Sequence, residues 1–133
     1  MARWMAIWAA AAASLASTLG LAEDSLAAGR PVVTEARSVA ADFFRSQNER
    51  RYDDTCQLLS RGFYASHGLR DRQTCAAVLR VASVWNGQIE FRIGKVAREG
   101  SRVVVQAMAD GTPGRIVLVP EDGVLRILAV EGN

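Results

Sequence analysis

The feature that most constrains the fold is a change of hydrophobic period near Asn86. Before this point apolar residues recur at helical spacing, and after it they alternate as in β-strands. Ile89, Phe91 and Ile93, for example, would share one face of an extended chain. The sequence therefore predicts a helical half followed by a β half, which is an α+β domain.

Three helices are predicted in the first half, each beginning at a residue whose side chain can cap it. Their caps are Thr34, Asp53 and Asp71, and they extend to about residues 47, 60 and 85. The buried stripe of the third helix is predicted to hold Cys75, Val78, Leu79 and Ala82. The intervening residues 61–70 contain two glycines and no clean period, so they are predicted to form an irregular connection.

Four strands follow, separated by turn sequences typical of an antiparallel meander. The first covers residues 88–99 with a bend or bulge at Gly94, and the others cover residues 102–109, 115–120 and 124–130. The predicted fold is three N-terminal helices packed on a curved four-stranded antiparallel sheet.

The last strands are apolar on both faces, which predicts an apolar surface on the side of the sheet away from the helices. The residues assigned to this outer face are Val104, Met108, Leu128 and Val130. Exposed apolar patches often mark interfaces, so this face predicts a homodimer that forms sheet to sheet. The alternative is a strongly curved sheet that wraps most of this surface around one core.

The N-terminal segment has the composition of a secretory signal peptide. Arg3 is followed by the apolar run 4–13 and by small residues up to Ala22, after which cleavage is predicted, although cuts after Ala16 or Ala28 fit nearly as well. The alternative is a retained membrane anchor, because the segment approaches the roughly twenty apolar residues that span a bilayer. Both interpretations place the protein outside the cytoplasm, secreted or in the cell envelope. The predicted organisation is a signal peptide at residues 1–22, a flexible lead-in at 23–31 and one domain at 32–131.

The two cysteines, Cys56 and Cys75, fall on the buried stripes of neighbouring predicted helices. In an oxidising compartment, an even number of cysteines in a small domain predicts a disulfide. Closing a loop of this length stabilises a fold by about 3 kcal/mol in the chain-entropy estimate. Two unpaired core thiols are the alternative. No metal site is predicted, because two cysteines and the single histidine, His67, are too few ligands for zinc.

The order of elements, with the stretches CQLLS at 56–60 and TCAA at 74–77, resembles a known superfamily. It is similar to the nuclear transport factor 2-like, or cystatin-like cone, superfamily, and to its secreted actinobacterial members. The lack of a strand pair between the second and third helices departs from many members. The resemblance implies a cone-shaped cavity between helices and sheet, either filled by side chains or able to hold a small apolar ligand. Since the superfamily contains both enzymes and non-catalytic proteins, the fold does not fix the function.

Four residues are candidates for lining such a pocket: Tyr52, Tyr64, His67 and Trp85. Isomerase or cyclase chemistry in this fold would need a desolvated carboxylate or histidine and a donor for the developing oxyanion. His67 is the only histidine, but its place in the irregular connection favours a solvated surface position. The inward strand positions are almost wholly aliphatic. No catalytic residue is therefore assigned, and no cofactor motif is present.

The formal net charge of +2 is too balanced to predict nucleic-acid binding. Arginines nevertheless cluster in the helical half, at positions 50, 51, 61, 70, 72 and 80. They could form a basic face for anionic lipid or envelope polymers or, with the interspersed aspartates, a mixed solvated surface. The sequence thus predicts an exported, non-enzymatic module of the bacterial envelope that binds a small apolar ligand or a protein partner. A small-molecule isomerase, dehydratase or cyclase of the same fold is the alternative.

Overall fold

The computed structural model describes residues 19–21, 31–83 and 87–132. Trp85 and nearly all of the predicted leader lie outside these ranges. The described helices are α1 (Val32–Asn48), α2 (Tyr52–Gln57), α3 (Arg61–Ser66) and α4 (Arg72–Ser83). The described strands are β1 (Leu19–Leu21), β2 (Phe91–Glu99), β3 (Arg102–Ala109), β4 (Thr112–Glu121) and β5 (Val124–Gly132). The α+β class and the four-stranded antiparallel meander β2 to β5 are as predicted, with β1 added antiparallel at the edge of β2.

Two tight hairpin turns join the last three strands. Asp110 and Gly111 connect β3 to β4, and Asp122 and Gly123 connect β4 to β5, all four with positive φ. Two consecutive residues with positive φ define the turn type whose twist matches that of paired strands. The loop after β3 is consequently shorter than predicted, and Thr112 already belongs to β4.

The first predicted strand begins three residues later than expected, at Phe91. The Asn48 side chain accepts the backbone N–H of Ile89 at 2.7 Å and donates to its carbonyl at 2.9 Å. The Gln88 side chain also donates to the Asn48 carbonyl. Residues 88 and 89 are therefore tied to the end of α1, while the carbonyl of Glu90 accepts the backbone N–H of Asp110 just after β3.

The connection predicted to be irregular contains a helix, so the described part of the chain has four helices and the predicted count of three is wrong. Ser60 caps α3, because its Oγ accepts the backbone N–H of Phe63 at 3.1 Å. The ring of Phe63 is fully buried. Gly62 allows close packing on β5, since a Cβ there would lie 2.7 Å from Cδ1 of Leu128. A six-residue helix is too short to show a hydrophobic period.

Only one of the three predicted helix caps is confirmed. Asp71 Oδ1 accepts the backbone N–H of Thr74 at 2.8 Å at the start of α4. The first helix begins at Val32, before the predicted cap Thr34. The second begins at Tyr52, which places Asp53 inside its first turn. In both cases the backbone enters the helix earlier, so the predicted cap has helical geometry and cannot act as one.

The core lies between the helices and one face of the sheet. Its largest aromatic contacts come from α1, where Phe43 and Phe44 meet edge to face and Phe44 stacks on Phe91 of β2 with 5.0 Å between ring centroids. The fully buried aliphatic residues opposite them come from β3, β4, β5 and α4. On α4, Val78 is 42 % exposed, so its predicted place on the buried stripe is wrong. The helix contacts its neighbours through Cys75, Ala76 and Leu79 instead.

Two β-bulges decide which face each strand residue occupies. The bend predicted at Gly94 is confirmed, because the register shifts between Ile93 and Val96. A second shift lies on β5, where Ala129 pairs with Val117 and Ile127 pairs with Leu118. Leu128 is therefore the extra residue, with no partner on β4. Strict alternation cannot reveal that extra residue.

The second bulge corrects the predicted outer face of the sheet. Val130, assigned to that face, belongs to the core with Ile116 because the bulge reverses its direction. Leu128 is half-buried and lies against the α3 backbone at Gly62. Val104 is 4 % exposed, which leaves Met108, at 38 %, as the exposed member of the predicted set.

Arg115 crosses the outer face and helps to cover it. Its guanidinium contacts Glu131 on β5 at 2.7 Å and Glu99 on β2 at 3.3 Å. Because Arg115 lies on β4, its side chain must extend past β3 to reach Glu99 on β2. The aliphatic stem of an arginine covers apolar surface while its charged end stays paired.

Candidate functional site

A disulfide joins α2 to α4 and fixes the wall of a surface groove. Cys56 and Cys75 are bonded, with their Cα atoms 6.1 Å apart and both side chains buried. This confirms the predicted pairing. A disulfide in a small domain indicates an oxidising location outside the cytoplasm.

The groove next to this disulfide, which we call the arginine groove, has a volume of about 530 Å³. Its apolar lining includes Cys56, Leu59 and Leu69. Its polar lining residues are Gln57, Arg61, Tyr64, Arg70, Arg72, Glu121 and Arg126. Four arginines therefore face a single glutamate. They come from α3, from the connection to α4, from α4 itself and from β5, so only the folded chain brings them together.

The arginines of the groove differ in how they are paired. Arg61 lies 3.4 Å from Asp122 and 3.8 Å from Glu121, and both of these carboxylates belong to the region of the β4–β5 turn. Arg126 donates to the backbone carbonyl of Gln57. Arg70 and Arg72 are exposed and make no ion pair within the part of the chain that the structure describes. The groove consequently carries an excess of positive charge.

Tyr64 stands between these arginines with its ring partly buried. Its hydroxyl donates to the carbonyl of Cys56 at 3.0 Å. Burial raises the pKa of this hydroxyl, as does the nearby charge of Asp71, while the charges of Arg72 and Arg126 act in the opposite direction. The hydroxyl of Tyr64 is therefore oriented by the disulfide-bonded helix and lies near charges of both signs.

Asp71 lies between Arg70 and Arg72 in the sequence, and its side chain caps the N-terminus of α4. The backbone N–H of Thr74 donates to its carboxylate, and this bond lowers the pKa of Asp71. A carboxylate held at a helix N-terminus is oriented by the backbone. The nearby charge of Arg70 also lowers the pKa of Asp71, so this carboxylate offsets part of the positive charge beside the groove.

The four pocket candidates do not converge on one site. Tyr64 lines the arginine groove, whereas Tyr52 lines a separate concavity of about 190 Å³ with Ser83 and Gln88. The Tyr52 hydroxyl lies 2.5 Å from Ser83 Oγ, and Arg80 lies over its ring. His67 directly follows α3, its ring stacks on Phe63, and its Nδ1 lies 3.0 Å from the Phe63 carbonyl. Trp85 falls outside the described residues.

Polar groups buried in the described core are hydroxyls that already have partners. Ser46 and Thr55 lie 2.5 Å apart, oxygen to oxygen, and so tie α1 to α2. Ser60 Oγ accepts the N–H of Phe63 as the cap of α3. Among the described residues, no group of three or more His, Cys, Asp or Glu side chains is placed to hold a metal ion. No helix in the same ranges has both the length and the apolar character needed to cross a membrane.

A scan against protein-family models finds no match for this chain, and no curated protein matches it significantly. The resemblance to the nuclear transport factor 2-like superfamily therefore stays a prediction.

The sequence singles out some arginines of the groove but does not predict that they lie together. Arg61, Arg70 and Arg72 belong to the arginine cluster of the helical half, whereas Arg51 of that cluster is neutralised by Glu49 and Asp54. Arg126 was missed because it lies in the apolar run 124–130, more than fifty positions further along the chain. No local signal marks it as a neighbour of Arg72.

Proposed function

We propose that this protein is an exported, non-enzymatic binding module of the bacterial envelope and that the arginine groove is its binding site. The single observation that carries the proposal is the excess of arginine over carboxylate in a groove with an apolar floor. Arg70, Arg72 and Arg126 have no carboxylate partner in the described chain, so a negatively charged partner would supply one.

The sequence predicts a small apolar ligand or a protein partner, whereas the charge of the groove favours a partner that carries negative charge. The enzyme alternative receives less support, because the buried polar groups of the described core are paired hydroxyls with little acid or base strength at neutral pH. The predicted leader and the disulfide both support export. The cone-shaped cavity remains part of the proposal through the resemblance alone.

The function is tested by fractionating the envelope of a host that exports the protein. We expect the wild-type protein to be retained by the envelope fraction and released by salt, because exposed charge pairs are screened. The double variant Arg70→Gln/Arg72→Gln should appear in the soluble fraction. Arg37→Gln/Arg50→Gln removes the same charge from exposed residues outside the groove and should be retained like the wild type. Equal retention of both double variants would contradict the proposal.

The homodimer is proposed together with this function, and the structure changes which residue tests it. The outer face of the sheet contains a concavity of about 370 Å³ that Met108, Pro113 and Arg115 help to line. We expect Met108→Glu to convert a dimer to a monomer, seen by light scattering, while its circular dichroism spectrum stays that of the folded wild type. Because Val104 is buried, a charge there would unfold the chain and would not be informative. A dimer that persists in Met108→Glu would exclude this face.

A further inference from the structure

The arginine groove is built to take more negative charge than one carboxylate carries. Three of its arginines make no ion pair within the described residues: Arg70 and Arg72, which lie two residues apart at the start of α4, and Arg126 on β5. They surround one tyrosine and one glutamate, and that glutamate is already paired with Arg61. Several arginine donors therefore line the same groove.

The chemistry of the guanidinium group narrows the class of anion. Arginine presents a rigid planar fork that forms paired hydrogen bonds with carboxylate or phosphate. A carboxylate has two oxygens and one charge, which one such fork satisfies. A phosphate monoester has three terminal oxygens and roughly −1.5 to −2 charges at pH 7, so it can accept from several arginines at once.

The fixed parts of the groove fit the same class of ligand. Tyr64 is held by its bond to the Cys56 carbonyl, and Arg126 by its bond to the Gln57 carbonyl. Both carbonyls belong to α2, which the disulfide joins to α4 and thus to Arg72. A site whose donors are held in place before binding loses less entropy when the ligand arrives.

We propose that the arginine groove binds the terminal phosphate of a phosphate monoester, either a soluble ester or a lipid whose head group ends in phosphate, with Arg72 and Arg126 as the principal donors. The inference rests on the proposed function and specifies its ligand. Leu59 and Leu69 on the floor would contact the part of the ligand that carries the phosphate.

The test is a titration of the exported, disulfide-bonded protein with inorganic phosphate, followed by NMR of the arginine Nε–H groups and of Tyr64. We expect saturable shifts at Arg70, Arg72, Arg126 and Tyr64. Arg72→Gln and Arg126→Gln should each weaken phosphate binding by roughly tenfold, as expected for a lost hydrogen bond to a charged group. Arg72→Lys should restore only part of the affinity, because it keeps the charge and loses the fork. Arg37→Gln should leave the affinity unchanged.

Two results would overturn the inference. One is an equal response to acetate at the same ionic strength, which would indicate a general anion effect. The other is an unchanged phosphate affinity in Arg72→Gln and Arg126→Gln. If the wild type does not bind phosphate but its retention in the envelope depends on the groove arginines, phosphate is rejected as the ligand and the proposed function is kept. If the wild type binds phosphate but the groove variants are retained in the envelope like the wild type, the proposed function is rejected.

A vesicle arm separates the two sources of phosphate. Vesicles of phosphatidic acid, whose head group is a phosphate monoester, in phosphatidylcholine are floated with the wild-type protein and with Arg72→Gln. A head-group ligand predicts that the wild type floats, that Arg72→Gln does not, and that inorganic phosphate competes. A soluble ester predicts that neither floats although the NMR titration saturates. Equal flotation of both proteins would place lipid binding outside the groove and overturn the head-group form.

Discussion

Replacing both Cys56 and Cys75 by alanine is expected to lower the free energy of unfolding by about 3 kcal/mol. The bond closes a loop between positions separated by 19 residues, and the loss comes mainly from the greater freedom of the unfolded chain. Small domains are stable by roughly 5–15 kcal/mol in total, so the effect is large. Urea denaturation of the oxidised protein and of the double variant, analysed at equal slope, measures it.

The control is the single variant Cys56→Ala, which should match the double variant because either change removes the whole bond. Reductant should shift the wild type toward the variants and leave the variants unchanged. The phosphate response of Tyr64 and Arg72 should also weaken, since α2 and α4 are no longer joined. A wild-type midpoint that reductant does not move would show that the bond contributes nothing to stability.

Phe44→Ala is expected to destabilise the fold by about 3–5 kcal/mol, because loss of the buried ring leaves a cavity that the surrounding structure only partly fills. Phe44 is 2 % exposed, and its ring links α1 to the first long strand by stacking on Phe91. No other aromatic pair among the described residues joins a helix to the sheet. Thermal and urea unfolding both measure the loss.

Phe44→Leu serves as the matched control, because it keeps most of the buried volume and should cost less than Phe44→Ala. A double-mutant cycle with Phe91→Leu isolates the stacking contribution, which is typically about 0.5–1.5 kcal/mol. A loss below about 1 kcal/mol in Phe44→Ala would mean that the site collapses around the cavity. Such a result would contradict the inference that Phe44 holds α1 on the sheet.

Patterns that depend on near neighbours were predicted well. The four antiparallel strands follow from alternation and from Asp-Gly turns, and the bulge at Gly94 follows from a glycine inside a strand. The disulfide follows from the even cysteine count and the predicted compartment. The strands and the bulge are encoded within a few neighbouring residues. The disulfide follows from the cysteine count, which does not depend on how far apart the two residues lie in the chain.

Features that depend on contacts between distant segments were not predicted. Helix α3 forms because Ser60 caps it and because Phe63 and Gly62 pack on the core and on β5, none of which produces a period. Val130 faces the core because β5 carries an unpaired residue at Leu128. An extra residue in one strand changes the face of every residue beyond it, and only the pairing with β4 reveals where that residue falls.

The arginine groove shows the same division between sequence and tertiary structure. By itself the sequence determined the α+β order, the meander, the disulfide and an abundance of arginine in the helical half. Only the tertiary structure decided that Arg51 is neutralised by its neighbours while Arg70 and Arg72 meet Arg126 from the last strand. The physical reason is that periodicity records which face of its own element a residue occupies. The charge that surrounds a side chain depends on which other elements the fold brings next to it.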